Sequence, residues 1–245
     1  MAPEPFPLTD DELDRLIAEE LRATVIHEST HAALHVFFGI PFDRVEVFTD
    51  EHPEPPDLKG YAGIVRSNWM RDLPCWAMPW HEGFRLERAV KYWDQLTCIF
   101  LAGELGESAY TGHRAPKSVG KHDQRDIRLL CRRVMGCSMS DWIEQLRSLT
   151  LEILHLPVVR AAVAAIAERL LAQAVLTRGE VQVLVKRACT ARRALRPKPL
   201  AKTMRRIHRL SPRLAGIQFP RPAPQLAGRG RRGPVSGAQP RLRAC

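Results

Sequence analysis

The pattern His27-Glu28-Ser29-Thr30-His31 constrains this chain more than any other feature of its sequence. Positions four apart on an α-helix lie on one face, so both imidazoles can be directed at a single metal ion. Glu28 lies about 100° round the helix from His27, within reach of a water molecule on that ion. Two histidines and a carboxylate in this order are typical of zinc sites that hydrolyse peptides, where the carboxylate activates the attacking water.

The residues around this motif favour a buried helix. The segment 21–39 reads LRATVIHESTHAALHVFFG, with apolar residues on both flanks and no proline. Gly39 provides a C-cap and Pro41 prevents the helix from continuing. Inward-facing histidines and a glutamate are costly unless they are paired or bound to a metal, so the setting favours a metal site. The alternative is a helix whose polar face carries the pattern by coincidence.

Length and composition point to an ordinary folded protein. The chain has 245 residues, of which 45% are hydrophobic and 26% charged, which suggests one domain or at most two. No apolar run approaches the roughly 20 residues needed to span a bilayer, and the acidic start lacks a secretory pattern. We therefore expect no membrane segment and a cytoplasmic location. The cysteines form no C-x-x-C pair and are expected to be reduced; they are Cys75, Cys98, Cys131, Cys137, Cys189 and Cys245.

The charge is divided unevenly along the chain. The formal net charge is +10, yet the residues from Val181 onward contain 17 Lys and Arg and no acidic residue. The preceding residues carry 20 basic and 27 acidic side chains, a net charge of −7. After Arg196 the sequence is rich in Pro, Gly and Arg with little periodic apolar content. This predicts an acidic domain over residues 9–190 and a basic, disordered tail over 191–245.

Periodicity predicts an α+β fold that is mostly α-helical, with a small antiparallel sheet beside the metal-binding helix. Alternating residues in 42–48 and a partner run in 61–66 predict the two strands. Three tryptophans, Trp69, Trp76 and Trp80, fall in an irregular segment that is either a packed loop or a cover over the site. The predicted helices cover 9–39, 83–109, 122–135, 140–154, 157–176 and 179–189.

A catalytic zinc site needs a third protein ligand and leaves its fourth position to water. His35 is separated from the face of His27 by about 80° and misses the metzincin spacing. Acidic candidates occur in a turn between the strands, on a helical stretch, and at the start of another helix. They are Asp50, Glu51, Glu104, Glu107 and Asp123. These residues by themselves leave the choice open.

Three stretches resemble the FtsH-type zinc metallopeptidase domain. They are residues 23–48, Leu101-Ala102-Gly103-Glu104-Leu105-Gly106-Glu107, and Gly120-Lys121-His122-Asp123 followed by Cys131-Arg132-Arg133. The resemblance implies a zincin-like fold over most of 9–190, with His27, His31 and Asp123 as zinc ligands and Glu28 as general base. It places Glu107 beside the ligands, outside direct coordination. Ser29-Thr30 and Gln124 differ from the family pattern, which has alanine-glycine and an apolar residue there.

The resemblance also implies a substrate class. The family's ATPase module and membrane anchor are absent from this sequence, so we expect a stand-alone module that cleaves peptides or unfolded polypeptides. An ATPase acting in trans would extend this activity to folded proteins. The strand around Val45-Glu46-Val47 is expected to be an edge strand that binds an extended substrate by backbone pairing.

Two alternatives belong to other functional classes. The 17 positive charges of the C-terminal end could bind nucleic acid non-specifically, with a structural or vestigial metal site. Phe219 is the only aromatic residue after Trp142, which disfavours base stacking. An inactive relative that binds peptides or partners is the other alternative, although the base and all three proposed ligands are present. The tail could also be a functionless extension.

Overall fold

The computed structural model describes residues 10–58, 62–67, 69, 71–79, 81–112, 120–132 and 140–193. The basic tail from residue 194 onward, Trp80, Cys137 and the predicted cap Thr9 lie outside these residues. The described part contains six α-helices, two short 3-10 helices (Pro56–Leu58 and Cys75–Ala77) and three strands. The helices are α1 (Asp10–Phe38), α2 (Leu86–Thr111), α3 (Lys121–Leu130), α4 (Ser140–Leu154), α5 (Pro157–Gln173) and α6 (Arg178–Arg193); the strands are β1 (Arg44–Val47), β2 (Gly63–Arg66) and β3 (Val175–Thr177). The expected α+β class with a predominance of helix is confirmed.

Helix α1 is the central element and carries the histidine motif. It runs unbroken for 29 residues, since it contains no proline and no glycine. Gly39 ends it with φ +71°, and the amide of Ile40 donates to the carbonyl of His35 in a Schellman-type cap. The helix packs against α2, α5, α6, β1 and β2. Its second half is therefore buried among other elements, as the apolar flanks of the motif predicted.

The sheet is antiparallel, with the strand order β2-β1-β3. Val45 lies opposite Val65 on one side and Leu176 on the other. The prediction that β1 is an edge strand is therefore wrong. Both of its edges are hydrogen-bonded to neighbours, so an extended substrate cannot pair with it. Among the described residues, the sheet edges belong to β2 and β3.

Strand β3 replaces the last residues of a predicted helix. We predicted helix over 157–176, but α5 ends at Gln173 and Ala174 adopts φ +56°. A left-handed alanine costs roughly 1–2 kcal/mol. Hydrogen bonding of the Val47 amide to the Ala174 carbonyl and complete burial of Leu176 offset that cost. Tertiary pairing, which local sequence does not reveal, decides this boundary.

The core lies between α1, α2, α4 and α5. Its largest fully buried side chains include Trp93, Leu96 and Ile99 on α2 and Leu146 and Ile153 on α4. Among the described residues, no single helix is long and apolar enough to cross a bilayer. Only α4 and α5 taken together, with a 78° bend between them, reach the required length and composition.

Candidate metal centre

Three side chains from two helices converge at one end of the core. The Nε2 atoms of His27 and His31 lie 3.0 Å apart, as expected for residues one turn apart on α1. The Oδ2 atom of Asp123, in the first turn of α3, lies 3.2 Å from the first nitrogen and 3.4 Å from the second. Gly120 begins α3 in a left-handed conformation (φ +75°) that Cβ-bearing residues rarely adopt. The structure thus brings together the three residues that the resemblance implied as ligands.

The neighbour of each Nδ1 atom indicates how the two imidazoles are oriented. His31 Nδ1 lies 2.7 Å from the carbonyl oxygen of Ile99, which can only accept, so Nδ1 carries the proton. In the neutral ring, Nε2 is then an unprotonated acceptor. His27 Nδ1 likewise faces a carboxylate, Glu107 Oε2, at 3.7 Å. Two imidazole nitrogens and a carboxylate oxygen therefore converge, an arrangement that needs a proton or a metal ion among them.

The site has the dimensions and the room for a metal ion. Ligand atoms around tetrahedral zinc, with bonds of about 2.0–2.1 Å, lie about 3.3–3.4 Å apart. The separations here, 3.0 to 3.4 Å, are close to that spacing. Gly103 of α2 faces the imidazoles, and a Cβ there would lie only 2.3 Å from His27 Nε2 and 2.4 Å from His31 Nε2. A glycine therefore keeps open the space beside both nitrogens.

The burial and the raised pKa of His27 also indicate that the site holds a cation. The ring is buried, and its Nδ1 has no hydrogen-bond partner among the described residues. Burial lowers the pKa of His27, but Asp123 and Glu107 outweigh this and raise that pKa to about 10. Burial raises the pKa of Asp123, yet the two histidines lower it below its usual range. The cluster therefore holds one positive charge tightly, either a proton or a metal ion.

Glu28 occupies the position expected of a general base. Its side chain is buried beside β2, where the Val65 amide hydrogen-bonds to the carboxylate. A Cβ on Gly63 would lie 2.7 Å from Glu28 Cγ, so this close approach requires glycine. Burial raises the pKa of Glu28 above its usual range, although His27, His31 and the Val65 hydrogen bond oppose the shift. A carboxyl with a raised pKa in a cleft is a typical acid–base group.

The other candidate ligands lie elsewhere. Glu104 accepts a hydrogen bond from Arg147 at 3.3 Å, and Asp50 and Glu51 are exposed in the turn after β1. His35 is buried with Nδ1 3.3 Å from the carbonyl of Ile40. Burial lowers its pKa to about 3, and the nearby His31 acts in the same direction, so the ring stays neutral. Glu107 lies beside His27, where it can orient the ring.

The position of α3 depends on a contact that sequence reasoning missed. Trp69 packs against Phe100, with ring centroids 5.5 Å apart, and its indole Nε1 donates to Asp126 Oδ2 at 3.0 Å. Asp126 lies one turn after Asp123 on α3, so this bond holds the face of the helix that carries the ligand. The sequence offered one signal, a tryptophan in an irregular segment. Trp69 thus both packs in the core and lines the cleft. Trp76, in contrast, packs against Tyr92.

Thr30 of α1 fits against a glycine on the neighbouring helix α2. Thr30 is completely buried and donates its hydroxyl to the Ile26 carbonyl at 2.6 Å. It faces Gly106 of α2, where a Cβ would lie 2.5 Å from the threonine Oγ1. Close contact between α1 and α2 at Thr30 therefore requires the glycine on α2.

The three converging side chains and Glu28 line a cleft of about 1530 Å³. Its walls come from α1, the β1–β2 hairpin, α3 and the end of α5. Two nitrogens and one carboxylate oxygen form a donor set that can hold a divalent cation, and Glu28 lies beside it. No model of a known protein family and no curated protein matches this chain. The candidate metal site therefore rests on the residues of this chain alone.

Proposed function

We propose that this protein is a zinc-dependent metalloendopeptidase with a zincin-like arrangement, acting on peptides or unfolded polypeptides. One observation carries the proposal: two imidazole nitrogens and a carboxylate oxygen converge within 3.4 Å, beside a buried glutamate. A cluster that served only to stabilise the fold would not need a neighbouring carboxyl of raised pKa. The FtsH-type resemblance supports the same roles for the same residues.

Each residue of the site has a separate role in the proposed hydrolysis. A zinc ion held by His27, His31 and Asp123 would lower the pKa of a coordinated water and polarise the scissile carbonyl. Glu28 accepts the proton of the attacking water and returns it to the amide nitrogen as the peptide bond breaks. The Ile99 carbonyl holds the His31 imidazole in the tautomer that leaves Nε2 free, and the Glu107 carboxylate lies 3.7 Å from His27 Nδ1.

The outer edge of β2 is the place for an extended substrate. Gly63 contacts Glu28 closely, and the Val65 amide reaches the same carboxylate, so this edge runs beside the base. The backbone groups of Ile64 and Arg66 face β1 in the ladder. Those of Gly63 and Val65 face outward; the Val65 amide donates to Glu28, so its carbonyl and the backbone of Gly63 would pair with the substrate. Backbone pairing to this edge would tolerate many side-chain sequences. Backbone pairing requires an unfolded substrate segment, so cleavage of a folded protein would need an ATPase partner in trans to unfold it.

The test compares metal content and cleavage in matched variants of the full chain. Glu28→Gln should keep its zinc and lose about 10²- to 10⁴-fold in turnover of casein, since only proton transfer is removed. Asp123→Ala should weaken zinc binding more than about 100-fold, because the loss of even an outer partner costs 10- to 100-fold. Zinc is measured by plasma mass spectrometry after dialysis against a defined zinc buffer.

Glu104→Gln is the matched control. It removes a carboxylate one residue from Gly103 that lies outside the converging cluster, so zinc content and turnover should both be retained. Equal casein turnover in wild type and Glu28→Gln would remove the enzyme proposal. Zinc binding without turnover in the wild type would favour the inactive relative that binds peptides or partners.

A further inference from the structure

The charges that line the cleft are strongly one-sided. Among its described lining residues, seven are acidic, whereas Arg125 is the one Lys or Arg. The acidic residues are Glu20, Glu28, Asp50, Glu51, Glu107, Asp123 and Asp126. Glu28 and Asp123 would face a bound divalent cation, which leaves five carboxylates opposed by a single guanidinium. The cleft therefore keeps a negative potential even with its metal in place.

These carboxylates surround the metal centre on helices α1, α2 and α3 and on the turn between β1 and β2. Glu20 lies on the cleft face of α1, two turns before His27, about 10 Å along the axis. Asp50 and Glu51 project from the turn between the strands, which is closed by hydrogen bonds between Thr49 and His52. Asp126 lies on α3. Glu20, Asp50 and Glu51 are exposed and have no ion pair to a described residue, so their charges act on whatever enters the cleft.

Independent observations mark the cleft as a binding site. Its floor holds His27, which is 9% exposed and has a buried Nδ1 without a hydrogen-bond partner among the described residues. The Nε2 atom of the same ring joins the converging cluster. The walls also expose apolar side chains, since Ile17 is 56% and Leu171 is 52% exposed. A ligand in this cleft thus meets negative charge and apolar surface together.

We propose that the cleft selects positively charged polypeptide segments, in which Lys or Arg alternate with apolar residues. This inference rests on the proposed function, because it specifies the substrate class of the same site. Lys and Arg side chains would lie near Glu20, Asp50 and Glu51 while their aliphatic stems cover the apolar wall. Acidic polypeptides and nucleic acids would be repelled. The cleft and the basic tail therefore attract opposite classes of polymer.

The experiment uses three labelled, unstructured peptides of equal length and identical apolar residues, which differ only in having Lys, Ser or Glu at the alternate positions. Their binding to the zinc-loaded full-length Glu28→Gln variant is measured by fluorescence anisotropy, and their cleavage by wild type is measured separately. The Lys peptide should bind at least about 10-fold more tightly than the Glu peptide at low salt, and 0.5 M salt should reduce this ratio. All three peptides meet the same tail, so its charge is constant.

A second pair of variants assigns the preference to the cleft. Asp50→Asn with Glu51→Gln should reduce the Lys-over-Glu ratio by at least about threefold and leave binding of the Ser peptide unchanged. The control, Glu82→Gln with Glu87→Gln, removes the same charge from exposed positions outside the cleft lining and should preserve the ratio.

The outcomes separate this inference from the proposed function. Equal binding of the three peptides would overturn the charge preference, while cleavage of the Ser peptide would leave the peptidase proposal standing. A charge preference without cleavage of any peptide would support the inference and overturn the peptidase proposal. An equal loss of the Lys-over-Glu preference in the control pair would show that net charge, and not the cleft, causes the preference. That result would also overturn the inference.

Discussion

At the scale of single residues, the decisive feature is the orientation of lone pairs. The Ile99 carbonyl fixes the proton of His31 on Nδ1, so Nε2 faces the other ligands unprotonated. Gly103 adds to this by leaving space beside both Nε2 atoms. These two residues contribute no ligand of their own. They determine that the cluster can take a cation.

Gly103→Ala should abolish metal binding without unfolding the protein. The new Cβ would lie 2.3 Å from His27 Nε2 and 2.4 Å from His31 Nε2, so the rings must move apart. We expect a loss of about 1–3 kcal/mol in the metal-free unfolding free energy, as for other overpacked sites. Zinc content of the dialysed protein should fall to background. Gly106→Ala, which meets Thr30 and not the imidazoles, is the control and should keep its zinc.

At the scale of elements, two contacts set the geometry around the site. Thr30 and Gly106 determine how closely α1 and α2 approach. Glu46, buried on β1, accepts hydrogen bonds from Arg44 and from Arg66 of β2, which ties the hairpin together beside the cleft. Each contact makes a separate stability prediction.

Substitutions at Thr30 and Gly106 should show strong energetic coupling. Gly106→Ala alone should destabilise the fold by about 1–3 kcal/mol, because its Cβ would lie 2.5 Å from Thr30 Oγ1. Thr30→Gly alone loses only about 0.3–0.5 kcal/mol of helix propensity, because threonine is itself a weak helix former. The double variant should lose at least about 1 kcal/mol less unfolding free energy in urea than the sum of the losses in the two single variants. Strict additivity would mean that the helices do not meet at these residues.

The contribution of Glu46 should depend on pH. Burial raises the pKa of Glu46, but the hydrogen bonds from Arg44 and Arg66 outweigh it, so the folded-state pKa lies below the ordinary value of 4.5. A depressed carboxyl pKa adds stability above pH 4.5, which is lost as the pH falls through the folded-state pKa. Glu46→Gln should therefore cost about 1–3 kcal/mol at pH 7.

The same variant should cost less as the pH falls below 4.5, measured as the difference in urea-unfolding free energy from wild type. Glu87→Gln, an exposed position at the start of α2, is the control and should show little difference at either pH. A Glu46→Gln penalty that stayed constant from pH 7 to pH 3 would show that the ion pairs do not stabilise the folded state.

At the scale of the whole molecule, the metal centre joins parts of the chain that are far apart in sequence. His27 and His31 lie on the central helix, whereas Asp123 is on α3, whose described contacts are mainly with α2 and Trp69. A bound ion would therefore fasten α3 to the core. Metal binding and global stability should be linked for this reason.

Removal of zinc should lower the unfolding temperature. With free zinc at 100 times its Kd, binding adds about 2.7 kcal/mol to stability. For a folded body of this size, each kcal/mol changes Tm by about 2–4 °C, so EDTA should lower Tm by about 5–10 °C. Asp123→Asn should show no zinc-dependent change. The same Tm with zinc and with EDTA would mean that the three side chains do not bind the ion when the protein is folded.

Features encoded by local sequence were predictable. The helix around the histidine motif, its end at Gly39, the strands of the hairpin and the bounds of α4 all follow from periodicity, capping and turn chemistry. Asp123 was chosen through the resemblance, since spacing alone left several acids open. The structure brings that aspartate to the two histidines.

Features that depend on distant contacts were not predictable. Ala174 ends α5 without a glycine or proline, because pairing with Val47 stabilises its conformation. The same pairing places β1 in the middle of the sheet. The bond from Trp69 to Asp126 and the fit of Thr30 to Gly106 join residues more than fifty positions apart. No local pattern contains that information.

The position of β3 has a consequence for the folding of this protein during translation. All three converging side chains have been synthesised once residue 123 is made, yet β1 gains its second neighbour only with residues 175–177. At translation rates of about 5–20 residues per second, the nascent chain waits roughly 3–10 seconds between these events. During that interval one flank of β1 is an unpaired sheet edge, and such an edge can pair wrongly with another chain.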